Sequence, residues 1–171
     1  LVLAAGADEI TERGLADGWR TGLFGPGTGV TPGEGAAVAV LERLESARKR
    51  GAPVLATVVG LGLAADPADP RSSAGGASLE RALAQALERA GVDASDVSVV
   101  APGGGGEVDI ARRSLGASFE IVDLQPRLGL AEAALSLCNL ARALATAGPD
   151  RVVAALSLSR EGLAAAAILR T

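Results

Sequence analysis

The side chains that most often carry acid–base or covalent chemistry are scarce in this chain. Histidine is absent from its 171 residues, and cysteine occurs once, at Cys138. A serine or cysteine nucleophile activated by an imidazole therefore cannot be assembled from these residues. Zinc sites of the usual His/Cys kind are excluded too, because one cysteine does not make a ligand set. The acidic residues are scattered along the sequence, so nothing points to an all-carboxylate magnesium site, and no cofactor is called for. Cys138 lies between Leu137 and Leu140 on an apolar helical face. Reactive thiols need an electropositive, partly exposed setting, so Cys138 reads as a buried structural cysteine.

Two glycine-rich stretches could in principle cradle a phosphate. Gly103–Gly106 follows a strand and precedes a helix, which is where a phosphate loop sits. No Lys-Ser/Thr pair follows it, and the helix opens with Glu107 and Asp109, whose charges repel a phosphate at that end. The stretch Gly25-Pro26-Gly27-Thr28-Gly29 leads into a strand instead of a helix. Both read as loops.

Charge and composition narrow the classes further. The net charge is −4, and the densest basic run, Arg48-Lys49-Arg50, is too short for a nucleic-acid surface. Only 2% of residues are aromatic, so no stacking platform accompanies it. A single cysteine rules out an intrachain disulfide and fits a reducing, cytoplasmic compartment. No apolar run reaches the ~20 residues needed to cross a bilayer, and no signal peptide is apparent. The chain opens inside an apolar run and has no methionine, which reads as a piece of a longer protein.

The elements that would position any site alternate between strand and helix. Leu1–Ala5 reads as a buried strand, residues 14–35 as a long ordered Gly/Pro loop, and Ala36–Leu41 as a second strand. A short charged helix over Glu42–Arg50 stops at Gly51 and Pro53, and Val54–Leu63 forms a third strand. Asp66–Gly76 is a connecting loop. Ser78 is expected to cap a helix carrying Leu79, Leu83, Ala86, Leu87 and Ala90 at helical spacing, with Gly91 as its stop. Val97–Ala101 is a strand, Val108–Ser114 a short helix and Phe119–Val122 another strand. Leu130–Ala147 is a long helix whose polar residues Glu132, Ser136, Asn139, Arg142 and Thr146 form one narrow stripe, which predicts burial of the rest, including Leu137, Cys138 and Leu144. Arg151–Ser159 and Leu163–Arg170 close the chain as a strand pair joined through Arg160-Glu161-Gly162. The class is α/β with a mainly parallel mixed sheet.

The run Gly33-Glu34-Gly35-Ala36, continued by Ala47-Arg48-Lys49-Arg50-Gly51-Ala52, resembles a signature of the β-ketoacyl synthases, in which a G-E-G-A strand precedes a helix ending in A-x-x-R-G-A. Leu3-Ala4-Ala5-Gly6-Ala7-Asp8 is similar to the family's preceding strand and its G-G-A-D turn. Ala82 through Val97 resembles its later helix and A-G-(x)n-D-I/V connection. The resemblance implies a thiolase-like α-β-α-β-α stack, with residues 1–53 ending its N-terminal half and residues 54–171 forming the C-terminal half. The family's nucleophilic cysteine would lie before Leu1, and Cys138 does not match it.

The same resemblance implies that the polar chemistry is missing. The family's N-A-H-G-T-S-T motif aligns with Ala101-Pro102-Gly103-Gly104-Gly105-Gly106, placing Gly103 where a histidine stands. Its K-S-x-x-G-H-x-x-G motif aligns with Gln125–Ala133, where Gln125 replaces the lysine and Leu130 the second histidine. The closing F-G-F-G-G-x-N loop becomes Leu158-Ser159-Arg160-Glu161-Gly162-Leu163-Ala164. Condensation needs donors for a developing enolate and oxyanion, and losing one such donor typically costs ~10²–10³ in rate. No catalytic residue is assigned within the chain. Three readings follow for fatty-acid or polyketide synthesis. One is a non-catalytic partner, like a chain-length factor, that dimerises with an active ketosynthase and shapes the acyl pocket. Another is an active 3-oxoacyl synthase or acyltransferase with its nucleophile upstream. The last is a scaffold that docks an acyl-carrier protein, through Arg127, Arg142 or Arg151.

Overall fold

The computed structural model describes residues 1–66, 76–159 and 161–171. Strands β1 (Val2–Asp8) and β2 (Gly35–Leu41) pair antiparallel, Val2 opposite Leu41 and Asp8 opposite Gly35. Helix α1 (Glu12–Arg20) falls between them in sequence, and α2 (Leu44–Lys49) follows. A second sheet contains β3 (Thr57–Ala65), β4 (Val97–Ala101), β5 (Glu120–Ile121), β6 (Val152–Leu158) and β7 (Leu163–Arg170) in the order β3-β7-β6-β4-β5. Helices α3 (Ala77–Ala90), α4 (Gly105–Leu115), α5 (Gln125–Leu128) and α6 (Leu135–Thr146) complete the described elements.

Small residues set the layer spacing. On one face of the larger sheet, α3 lies against β3 and β7, burying Leu79, Ala82, Leu83 and Ala86 with Ile110, Ala154 and Ile168. A Cβ on Gly62 would overlap the Ala82 carbonyl oxygen, so strand and helix backbones touch there. On the other face, Ala143 and Ala147 of the α6 region pack with Val99, Ala101, Val153 and Leu169. The β1–β2 sheet covers α6 from beyond. Gly6 approaches the Ala133 carbonyl as closely as Gly62 approaches Ala82, and the Asp8 carboxylate accepts the Ala133 and Ala134 amides at 2.6 and 3.1 Å. Burial of α6 between two sheets is therefore as expected. Leu137, Cys138 and Leu144 are half-buried, less enclosed than a structural core position, Cys138 included.

Several expectations need correction. Residues 14–20 are not loop but most of α1, because the Thr11 hydroxyl accepts the Gly14 amide at 3.0 Å and starts a helix despite two glycines. The first strand is not buried: Leu3 is 62% exposed and faces outward beside Val38 and Val40, since α6 covers only the other side of the pair. Ser78 does not cap α3. Gly76 is the N-cap in a left-handed conformation, and Ser78 is buried in the first turn. Gly91 does terminate that helix, also left-handed.

The long helix starts at Leu135 instead of Leu130. The preceding residues have tertiary partners, since Leu130 bridges Pro32 and donates its amide to Thr31 O at 2.8 Å. Parallel pairing is half of the larger sheet, not most of it. β4 pairs parallel with β5 and β6, whereas β7 enters as a hairpin and lies antiparallel to both β6 and β3. The short helix α4 begins three residues early, absorbing Gly105 and Gly106. Most of the expected connection at 66–76, and Arg160 in the closing turn, lie outside the described residues.

Candidate functional site

The C-terminal ends of the parallel strands β4 and β6, with the segment after β5, form the place where an open α/β sheet offers a crevice. Three short segments meet there: Pro102–Gly104 after β4, Asp123–Gln125 after β5, and Leu158 ending β6. One side chain from α6 ties two of them together. Asn139 is fully buried; its Nδ2 donates to Pro102 O at 2.6 Å, and its Oδ1 accepts the Leu124 amide at 2.8 Å. Asn139 was grouped with exposed polar residues by spacing, yet it faces inward. Glu132, Arg142 and Thr146 are exposed as that stripe requires.

Gly103 sits in a filled space. A Cβ there would lie 2.5 Å from Ser136 Oγ, 3.0 Å from Glu107 Oε1 and 3.2 Å from Leu156 O. Gln125 is brought close: its Oε1 lies 4.0 Å from the position of a Cβ on Gly104, and its backbone N–H donates to Asp123 Oδ1 at 2.9 Å. Leu130 is placed elsewhere, on the wall of a cavity of about 340 Å³ shared with Asp8, Ile10, Leu15, Phe24 and Gly33. Neither Gly103 nor Gln125 lines that cavity. Two of the three singled-out positions are thus neighbours, and the third serves another hollow.

Glu107 is the residue that the sequence reading missed. It is 4% exposed. Its Oε1 accepts the Leu158 amide at 2.7 Å, and its Oε2 accepts the Gly103 amide. The available signal was half a capping box: a glutamate at the third residue of a helix can reach back to the N-cap amide. With glycine at the cap, the other half was absent.

Burial pushes the Glu107 pKa above the usual carboxylate range, amide bonds from Gly103, Leu158 and Gly104 pull it partly back, and the Asp123 charge adds to the rise. A folded-state pKa raised above the unfolded one contributes stability below the unfolded value of about 4.3, and that contribution is lost as pH rises through the folded value. The stability of the wild type relative to Glu107→Gln should therefore decline as pH is raised from about 4. Urea unfolding of both proteins across a pH series measures this, and a difference that stays flat or grows with pH contradicts it.

Among the cations considered for docking, Arg127 and Arg142 are exposed. Arg151 is occupied structurally, its Nε donating to Ser98 Oγ at 2.9 Å at the start of β4. Among the described residues, no group of His, Cys, Asp or Glu could hold a metal ion, and no helix is long and apolar enough to cross a membrane.

The layers, the mixed sheet and the crevice at its parallel end define a thiolase-like α/β fold. The ishigamide ketosynthase/chain length factor superposes with a TM-score of 0.83 over 99% of this chain and 53% of that one, at 25% identity. The 3-oxoacyl-[acyl-carrier-protein] synthase 2 of Rhizobium meliloti (strain 1021) is 44% identical over 73 residues, 42% of this chain and 17% of that protein. Polyketide synthase GfsA of Streptomyces halstedii is 32% identical over 164 residues, 87% of this chain and 2% of that protein. No family model matches. The chain belongs to the β-ketoacyl-synthase/thiolase-like superfamily. It spans about half the length of the solved chain above and a smaller share of the curated relatives.

Proposed function

We propose that the chain is a degenerate ketosynthase of fatty-acid or polyketide synthesis, a non-catalytic partner that pairs with an active ketosynthase and shapes its acyl pocket. The observation carrying this reading is the state of the crevice. At Gly103, where the resemblance puts the family's first histidine, the side-chain space is taken by Ser136, Glu107 and the Leu156 carbonyl. Gln125 and Leu130 stand at the other two positions, and no histidine exists in the chain to replace them. Decarboxylative condensation relies on preorganised donors aimed at developing negative charge. A buried carboxylate beside Gly103 opposes that charge.

The scaffold around these positions is retained. The strand with the G-E-G-A run pairs along its whole length, and the apolar layers are close-packed. In this reading, residues 1–53 end one thiolase-like half and residues 54–171 form the other. The outward faces of Leu3, Val38 and Val40, and of Leu61, Leu63 and Leu163, are then covered by the remainder of that fold. The similarity to a ketosynthase/chain length factor supports a partner of the same family.

The test is co-expression of the protein at its natural full length with candidate ketosynthases, followed by size-exclusion chromatography and native mass measurement. A one-to-one heterodimer is expected. A protein that remains monomeric or purely homodimeric with every candidate overturns the reading.

A further inference from the structure

Amide N–H groups from two segments distant in sequence converge on one buried carboxylate. Gly103 and Gly104 lie just before α4, and Leu158 is the last residue of β6. Gly104, the N-cap of α4, has no side chain with which to satisfy the open amides of the first turn. Glu107, third residue of the same helix, turns back past it to the Gly103 amide and also reaches Leu158, 51 positions along the chain. Backbone amides gathered at a helix N-terminus beyond a parallel strand are a general form of anion site. Here the anion is already attached. Glu107 is 4% exposed and both of its oxygens accept amides.

We propose that Glu107 is a built-in ligand: its carboxylate fills the cradle formed by the Gly103 and Leu158 amides and, by filling it, pins the end of β6 to the N-terminus of α4. The pin fixes where the turn after β6 begins. Ser159 continues from Leu158, and its amide and hydroxyl bond across the turn to Leu163, at 2.8 Å to the carbonyl and 3.2 Å from the amide. The cradle is consequently closed to any outside anion while Glu107 is in place. Space matters as much as charge, because the Glu107 carboxylate and Ser136 Oγ together occupy the volume beside Gly103.

Chemical rescue tests this directly. Glu107→Ala empties the cradle, and amide exchange at Gly103 and Leu158 should accelerate about tenfold or more as their bonds are lost. Formate is small enough to replace the missing carboxylate. It should slow that exchange and raise the variant's midpoint of thermal unfolding beyond the effect of sodium chloride at equal ionic strength. Wild type should not respond to formate. Glu107→Gln keeps the volume but turns an amide –NH₂ toward a backbone donor. It should lose protection at Gly103 or Leu158 and gain nothing from formate, so the proposal can be read even where the alanine variant does not fold. Equal effects of formate and chloride on the alanine variant, or wild-type protection in Glu107→Gln, would overturn the assignment.

Discussion

Replacing Asn139 with leucine should lower the stability of this protein by about 2–6 kcal/mol, although leucine suits a helix better than asparagine does. The loss comes from what the amide leaves behind. Nδ2 satisfies the Pro102 carbonyl and Oδ1 the Leu124 amide, both in the interior beside a fully buried side chain. Leucine removes both partners at once, and each stranded buried group costs roughly 1–3 kcal/mol. For a chain of this length, a fall of about 5–20 °C in the unfolding midpoint is expected. Arg142→Ala is the control. Arg142 shares the polar spacing with Asn139 but is exposed, so its removal should change stability by no more than about 0.5 kcal/mol. Thermal or urea unfolding of the two variants decides the matter, and equal effects would mean that Asn139 does not hold these segments.

Placing a histidine at Gly103 should damage the fold and bring no activity. A side chain there meets Ser136 Oγ at 2.5 Å, Glu107 Oε1 at 3.0 Å and the Leu156 carbonyl at 3.2 Å. The first two can move, but the third is backbone in a central strand. Overpacking of this kind costs about 1–3 kcal/mol, a fall of roughly 3–10 °C. The imidazole would also disturb the amide bond from Gly103 to Glu107. Unfolding of Gly103→His, together with its malonyl-decarboxylation rate, checks both parts. A variant as stable as wild type, or one that gains turnover, would show that the space beside Gly103 has room for an imidazole.

The strands of the larger sheet were legible because their residues are mostly apolar, although β3 starts three residues later than expected, at Thr57, and β5 is only Glu120–Ile121. Val97–Ala101 is β4 as expected, and the closing pair differs from expectation by a residue or so at its ends. The end of α3 was legible at Gly91, where a left-handed stop follows a periodic run. What misled was the weight given to glycine. Gly14 and Gly18 made α1 look like loop, although Thr11 carries a cap signal, and Phe24 packs where a side chain on Gly18 would go.

The site was legible only as an absence of donors. Missing histidines can be counted, but an inward-facing asparagine has the same spacing as an outward-facing one. Asn139 turns inward because Pro102 and Leu124 leave a carbonyl and an amide unpaired, and neither fact belongs to the helix itself. Glu107 was misread for a similar reason. Its charge was read only as repelling a phosphate at the helix end, whereas the side chain turns back and is buried against the Gly103 and Leu158 amides.

The most direct measurement is carbon dioxide release from malonyl-loaded acyl-carrier protein by the purified full-length protein, alone and then with a catalytic ketosynthase. With no histidine in this chain, and with Gly103, Gln125 and Leu130 proposed to stand where the family's catalytic side chains are, the protein alone should give no release above the blank. Release should appear only with the ketosynthase present. Carrier-dependent release by the protein alone would contradict the reading of this chain as a scaffold kept without its chemistry.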